Sequence, residues 1–279
     1  MFIFRCSLLS LLLASTTLCA QHQDATFDSP PLSEETAIPR NSPYHLSLRR
    51  ELLYGGGGVG AVLGGNYLWN RVGPVDYKSV EMFAIGGVDN LNFYYDGSGA
   101  RALSDNTKRA ALYLPALLLL HRDTRRDAGK IGLLFGEALL INHGLTNITK
   151  ATVKRPRPYL GDPRWDRNQP LLVDDRASFL SGHTSGTAVG SFFFASVFSD
   201  YFPDSKLKPY VWTTAIALPA LTGYLRVRAA RHYPTDVIAG YALGATIGYF
   251  VPKLHKRPLL KGKLKVLGGP GGVSMRLHL

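Results

Sequence analysis

The chain has 279 residues, a formal net charge of +12 and a pI near 9.7, with 46% hydrophobic and only 19% charged residues. With mean hydropathy near zero it is apolar for a soluble globule, which leaves a membrane-embedded or tightly helical protein open. The basic excess suits anionic lipid or an anionic substrate. Nucleic acid is set aside, because neither zinc-finger Cys/His spacing nor the basic-aromatic motif of an RNA-binding sheet occurs.

Residues 1–20 read as a secretory leader: Arg5, an apolar core from Leu8 to Leu13, and Thr-Leu-Cys-Ala before Gln21. An uncleaved anchor helix is the alternative. Cys6 and Cys19 both fall inside it, and Leu18 sits where a lipoprotein signal would carry a small residue. Cleavage after Ala20 leaves no cysteine, hence no disulfide framework and no thiolate metal site. Residues 21–50, punctuated by Pro30, Pro31, Pro39 and Pro43, read as an extended exported arm. Residues 52–70 are uncharged and broken by four consecutive glycines, Gly55 to Gly58, which cost helix stability unless close packing offsets them. Residues 71–100 look irregular.

Five apolar segments follow, at about 102–120, 129–150, 183–201, 209–226 and 234–252. None shows strand alternation over such lengths. The second carries Glu137 and His143, the third is rich in Phe, and the fourth contains Pro219, a kink candidate. The fifth places Gly240, Gly244 and Gly248 on one helical face, a spacing that lets helices pack closely. The fold class is therefore all-α, a bundle of about five to six helices with its chemistry at the helix ends. The domain reading is leader 1–20, arm and Gly-rich segment 21–100, helical core 101–255, and a basic, Gly-rich, solvated tail 256–279.

Three polar clusters sit at the ends of these segments. Lys150 lies in the last turn of its helix, and Pro156 and Pro158 pre-set the backbone around Arg157. Cations there also complement a helix C-terminus. Ser181 can cap the Phe-rich helix, and Gly182 lets its backbone approach an anion, just ahead of His183. Pro234 suits the first position of the last helix, so Asp236 falls in its first turn and can reach back to His232, with Arg226 upstream.

Taken together, Lys-(six residues)-Arg-Pro at 150–158, Ser-Gly-His at 181–183 and Arg-(five residues)-His-(three residues)-Asp at 226–236 resemble the three signature motifs of the type 2 phosphatidic acid phosphatase and vanadium haloperoxidase superfamily. The resemblance covers roughly residues 100–255 and is closest to exported bacterial phosphatases. Leu180 stands where that family has Pro, and Leu225 where it has Ser; altered loop rigidity and one lost hydrogen bond to phosphate are expected. The resemblance implies metal-independent phosphoester hydrolysis in two steps, with no cofactor. It casts His232 as nucleophile and Asp236 as the group orienting it. Lys150, Arg157 and Arg226 hold the phosphoryl oxygens with help from Ser181 and Gly182, and His183 is the acid for the leaving group. No carboxylate cluster visible in the sequence suggests a metal site.

The expected substrate is a lipid phosphate or a small phosphoester, and the expected setting a membrane surface or interior. The competing readings are a broad-specificity soluble periplasmic acid phosphatase and a non-catalytic helical envelope protein that retains the motifs. Haloperoxidase activity fits poorly with a short chain carrying a leader. Arg122, Arg125, Arg126, Lys130, Lys206 and Lys208 fall at the end away from the motifs, as on a cytoplasmic face. Five crossings from an exported N-terminus then turn the site outward, in the periplasm or at the envelope membrane. That parity requires that 52–70 not cross fully, or that the bundle be soluble, which Glu137 and His143 favour.

Overall fold

The computed structural model describes residues 42–74, 76–81, 83, 85–90 and 97–256, with the backbone of 263–269 and 272–278. The leader and residues 21–41 of the arm lie outside the described residues. The helices are α1 (Leu48–Trp69), α2 (Tyr77–Glu81), α3 (Ser98–Tyr113), α4 (Arg122–Arg126), α5 (Ala128–Val153), α6 (Gly182–Tyr201), α7 (Lys208–Arg228) and α8 (Pro234–Leu254). The first apolar segment is not one α-helix. Beyond Tyr113 it tightens into a 3-10 stretch, Leu114–Leu120, where Pro115 has no N–H to give the ladder. In the tail, β1 (Lys263–Gly269) and β2 (Gly272–His278) pair antiparallel, Lys263 opposite His278, a hairpin that the solvated-tail reading did not contain.

Close contacts set the helix directions. A Cβ on Gly240 would lie 2.6 Å from the Ser181 carbonyl, one on Gly248 2.6 Å from that of Val189, and Gly244 faces Ser185 between them. The glycine stripe of α8 therefore lies directly on the α6 backbone, with both helices starting at the same end. α3 runs alongside in the same sense, with Asp105 against His183 and Gly190 against Ala111. α7 runs back between them, Thr222 meeting Thr107 and Arg226 meeting Ser104. The core sits toward the far end, where Leu134, Val189, Phe193, Val197, Ile247 and Val251 are buried around α6.

The Gly-rich stretch becomes α1, a continuous helix of 22 residues lying parallel to α5. Gly58 packs on Leu140 and Ile141, Gly65 on Gly144 and Asn147, and Gly144 in turn on Ala61. Close approach offsets the helix cost of glycine here. α1 matches the other long helices in length, so α1, α3, α5, α6, α7 and α8 make six passes along the bundle. Residues 44–45 then meet 255–256 at the end away from the motifs, His45 N–H donating to the His255 carbonyl at 2.9 Å.

Glu137 also departs from expectation. It is 2% exposed and faces α1 and α8 inside the bundle, so it places no charge on the outer surface and argues nothing for a soluble bundle. The outer faces carry Leu52, Leu63, Leu120, Ile216, Leu221, Ile238 and Phe250, all well exposed. By length and composition Pro234–Leu254 is, among the described residues, the one helix apolar enough to cross a membrane.

Candidate active site

The motif-bearing ends of α5, α6, α7 and α8 converge with the start of α3. α5 stops at Lys154, which takes left-handed backbone (φ 53°), and Pro156 keeps the chain from resuming helix. α7 stops in the same way at Ala230 (φ 50°), a conformation that glycine adopts more readily, and the turn delivers Arg231 and His232 to the bundle end. α8 then opens on Pro234, whose missing N–H costs nothing at a helix start. The N-terminal dipole ends of α3, α6 and α8 all point at this region, which favours an anion there.

Between these ends lies a cavity of about 290 Å³ lined by Lys150, Arg157, Arg226, Arg231, Arg101, His183, His232, Asp105 and Asp174. The structure therefore brings Lys150, Arg157, His183, Arg226 and His232 to one cavity, from four separate parts of the chain. Arg157 is held on several sides. Its Nε donates to the Asp174 carbonyl at 2.8 Å, one terminal nitrogen to the Arg231 carbonyl at 3.0 Å, and the other to the Asp174 carboxylate at 2.9 Å. Burial alone would push the Asp174 carboxyl up, but Arg157 outweighs it and holds the group below the usual carboxylate range.

His232 is 1% exposed. Its Nδ1 lies 2.6 Å from the Ser178 carbonyl, which can only accept, so Nδ1 carries the hydrogen and Nε2 keeps its lone pair. Burial, followed by the charges of Arg157, Arg226 and Lys150, drives its pKa well below the ordinary histidine value. The ring is neutral at neutral pH.

Asp236 was expected to reach back to this ring. It comes within 3.7 Å of Nδ1, an ion-pair separation, while the Ser178 carbonyl makes the hydrogen bond. The carboxylate is itself fixed by three donors. Ser178 Oγ donates to it at 2.5 Å, the Tyr233 N–H at 2.8 Å and Arg155 at 2.6 Å, and Arg155 also bonds Asp89 at 2.6 Å and Thr235 at 2.8 Å. A charged His232 ring would add an ion pair across the 3.7 Å separation. Burial pushes Asp89 up, yet hydrogen bonds from Arg155 and Thr235 hold it below the usual range.

Ser181 caps α6, accepting from the Thr184 N–H at 3.4 Å, and its own N–H donates to the Asp236 carbonyl at 3.0 Å. It ties the starts of α6 and α8 together and does not line the cavity. Gly182 sits beside Lys150, its Cβ position 3.6 Å from Nζ. Leu180 and Leu225 are both buried. Residues that the sequence reading passed over complete the site. Asp105, on α3, meets His183 Nε2 at 2.7 Å and lies 3.8 Å from Arg226. Arg155 stands inside the run 150–158, and Ser178 three residues before Ser181. Asp105 had only a weak signal, a carboxylate three residues before Lys108 at the start of an apolar segment.

A cavity walled by five cations and two imidazoles beside Asp105 and Asp174, at converging helix ends, suits an anion. Residues 131–259, which span most of α5 through α8, match the PAP2 superfamily family model. Over 77 residues the chain is 34% identical to a lipid A 4'-phosphatase of Porphyromonas gingivalis, covering 28% of this chain and 29% of that protein. Over 120 residues it is 30% identical to phosphatidylglycerophosphatase B of Bacillus subtilis, covering 43% and 53%. Over 128 residues it is 34% identical to a lipid A 1-phosphatase of Rhizobium johnstonii, covering 45% and 48%. The chain thus spans about half or less of the length of the curated relatives it matches. A solved transmembrane PAP2-type phosphatidylglycerolphosphate phosphatase from Bacillus subtilis aligns at 22% identity and a TM-score of 0.41, over 71% of this chain and 94% of that one.

Proposed function

We propose that the protein is a phosphoric ester hydrolase that cleaves phosphate monoesters or diphosphates, those of lipids in particular, without a metal and through a phosphohistidine. The observation that carries this reading is the fixed tautomer of His232, neutral and with Nε2 free of the Ser178 hydrogen bond, at a cavity lined by Lys150, Arg157 and Arg226.

In the first step Nε2 bonds to phosphorus as the bond to the leaving oxygen breaks. Lys150, Arg157 and Arg226 hold the phosphoryl oxygens, and the first N–H groups of α6, at Gly182 and His183, add donors that the helix itself leaves without partners. Positive charge then appears on the His232 ring, where Asp236 and the Ser178 carbonyl stabilise it. His183, whose ring meets Asp105, gives its proton to the leaving alkoxide. In the second step water adds to phosphorus, His183 takes the water's proton, and the N–P bond breaks to release phosphate. A neighbouring cavity of about 360 Å³ shares Arg101 and Arg231 and adds Tyr159 and Trp165, which offers the leaving group an amphipathic wall.

The names of the three relatives, for lipid A and for phosphatidylglycerophosphate, support a lipid phosphate as substrate. The apolar outer faces of α1, α7 and α8 support embedding in a membrane. Six passes change the topology argument. An exported arm would now put the site inside, whereas a site facing outward keeps residues 42–47 inside. The basic groups Arg49, Arg50, Arg122, Arg125, Arg126, Lys206 and Lys208, gathered at the far end, favour the outward site. Single cysteines replacing Arg167 and Lys208, probed on intact cells with an impermeant maleimide, decide this; labelling at 208 alone reverses the orientation.

The activity test is phosphate release by the purified full chain in detergent, with a chelator present. The panel is phosphatidate, a prenyl diphosphate, an endotoxin lipid phosphate and a soluble chromogenic ester. Release from the lipids that is blocked by vanadate supports the reading. Release from the soluble ester alone favours a broad-specificity phosphatase, and no release from any substrate sinks the enzyme assignment.

A further inference from the structure

At the end of the bundle away from the catalytic cavity, α1, α5 and α8 each contribute one group to a buried cluster: Glu51, Glu137 and His255. His255 is 0% exposed and Glu137 2% exposed. His255 Nε2 lies 3.3 Å from Glu137 Oε2 and 3.6 Å from Glu51 Oε2. Yet among the described residues Nε2, both Glu137 oxygens and Glu51 Oε2 have no hydrogen-bond partner. Leaving such groups unsatisfied in the interior is costly.

The histidine is set up as a ligand rather than a donor. Its Nδ1 lies 2.9 Å from the Val251 carbonyl, which can only accept, so Nδ1 carries the hydrogen and the Nε2 lone pair faces the two carboxylates. Two anions and a lone pair pointing at one spot repel one another unless a proton or a cation lies between them. The neighbouring side-chain cations are committed elsewhere: Arg50 to the Leu254 carbonyl and His45, Lys253 and Lys256 to Asp200. Space is provided by Gly55, whose Cβ would stand 3.2 Å from Glu137 Oε1. The separations also suit a metal. Ligands at about 2.0–2.2 Å from a tetrahedral ion lie roughly 3.3–3.6 Å from each other.

We propose that Glu51, Glu137 and His255 form a binding site for a divalent transition cation of the zinc type, which clasps α1, α5 and α8 at the end opposite the catalytic cavity. One imidazole and two carboxylates suit zinc better than magnesium or calcium, which seek a shell of oxygens. The ion cancels the two buried charges and leaves the reaction at His232 untouched. The site is independent of the proposed hydrolysis and stands or falls without it.

The test is metal content and thermal stability of the full chain in detergent. Protein purified without chelator should carry about one equivalent of zinc by elemental analysis. After stripping, Zn²⁺ at a hundredfold excess over its Kd should raise the midpoint by about 5 °C or more, and Mg²⁺ should not. Glu137→Gln should lose both the metal and the shift. Glu51→Gln keeps an oxygen for the Ser47 N–H and is the safer variant if the first fails to fold; it should weaken Zn²⁺ binding at least tenfold. A stripped chain that gives no Zn²⁺ shift overturns the proposal and leaves a proton-sharing carboxylate pair or a charged His255 as the account of the cluster. Zinc retained equally by Glu51→Gln and Glu137→Gln overturns it as well, because the ion then sits elsewhere.

Discussion

Each end of the bundle buries a histidine against carboxylate, and the surroundings of the two differ. His232 and Asp236 are enclosed by groups that match them: Ser178 supplies a carbonyl to one and a hydroxyl to the other, and Arg155, Tyr233 and Asp89 complete the set. His255 and Glu137 sit as deeply, yet among the described residues His255 Nε2 and both Glu137 oxygens have no hydrogen-bond partner. Both rings have Nδ1 tied to a main-chain carbonyl and Nε2 presenting a lone pair. One lone pair faces a cavity of cations, the other two carboxylates. The same tautomer lock thus prepares a nucleophile at one end and a ligand at the other, and the charge of the facing groups decides which.

The most direct way to break the comparison is to remove the nucleophilic ring. His232→Ala is expected to lower phosphate release by about 10⁴-fold or more, measured on whichever panel substrate is turned over fastest. His255→Ala should leave the rate per folded molecule near wild type. Equal losses from both would remove the distinction between the two ends.

Arg155→Ala comes next. It leaves Asp236 and Asp89 buried without their shared partner, and one-sided removal of a buried pair costs about 3–5 kcal/mol. Denaturant unfolding should show that loss, and kcat should fall because Asp236 is freed to turn from His232. Arg155 acts here as a positioning residue, so Arg155→Lys should recover stability further than it recovers rate, a lysine being unable to bridge both carboxylates as a planar fork does.

Asp105→Asn sharpens the acid side of the proposed reaction. If Asp105 keeps the proton on His183, the variant should lose about 10²-fold in kcat and shift one limb of the pH–rate profile, with KM little changed. A fall in KM affinity alone would make Asp105 a substrate contact instead.

The helical core and most of the site were legible before any coordinates, for physical reasons. Apolar runs of helix length admitted no strand pattern, and the glycine stripe of α8 could only mean close packing, which Ser185 and Val189 now receive. Lys150, Arg157, His183, Arg226 and His232 could be picked out because the three motifs, in their order and spacing, jointly match a family pattern, and the structure places these five around one cavity. Partners supplied by folding were not legible. Asp105 reaches His183 across 78 positions and Asp89 reaches Arg155 across 66, and nothing local marks either carboxylate. Glu137 was read as a charge inside a helix because Glu51 and His255 are far from it in the chain. Asp236 was read as the hydrogen-bonding partner of His232 because four positions separate them on a helix, while the Ser178 carbonyl, a main-chain group, carries no sequence signal at all.

The smallest expected effect concerns acid. His232 has a folded-state pKa well below the ordinary value of 6.5, with burial as the largest cause and Arg157, Arg226 and Lys150 adding to it. The unfolded chain therefore binds a proton that the folded chain refuses, wherever the pH lies between the two values. Stability contributed by the neutral ring is fully present above about 6.5 and declines as the pH falls below it. The thermal midpoint of the full chain should drop from pH 7 to pH 5, and His232→Asn, which never takes up that proton, should drop less. If the variant and the wild type fall in parallel, the acid sensitivity lies in other groups, with the cluster of Glu51, Glu137 and His255 the first to examine by repeating the measurement with and without Zn²⁺.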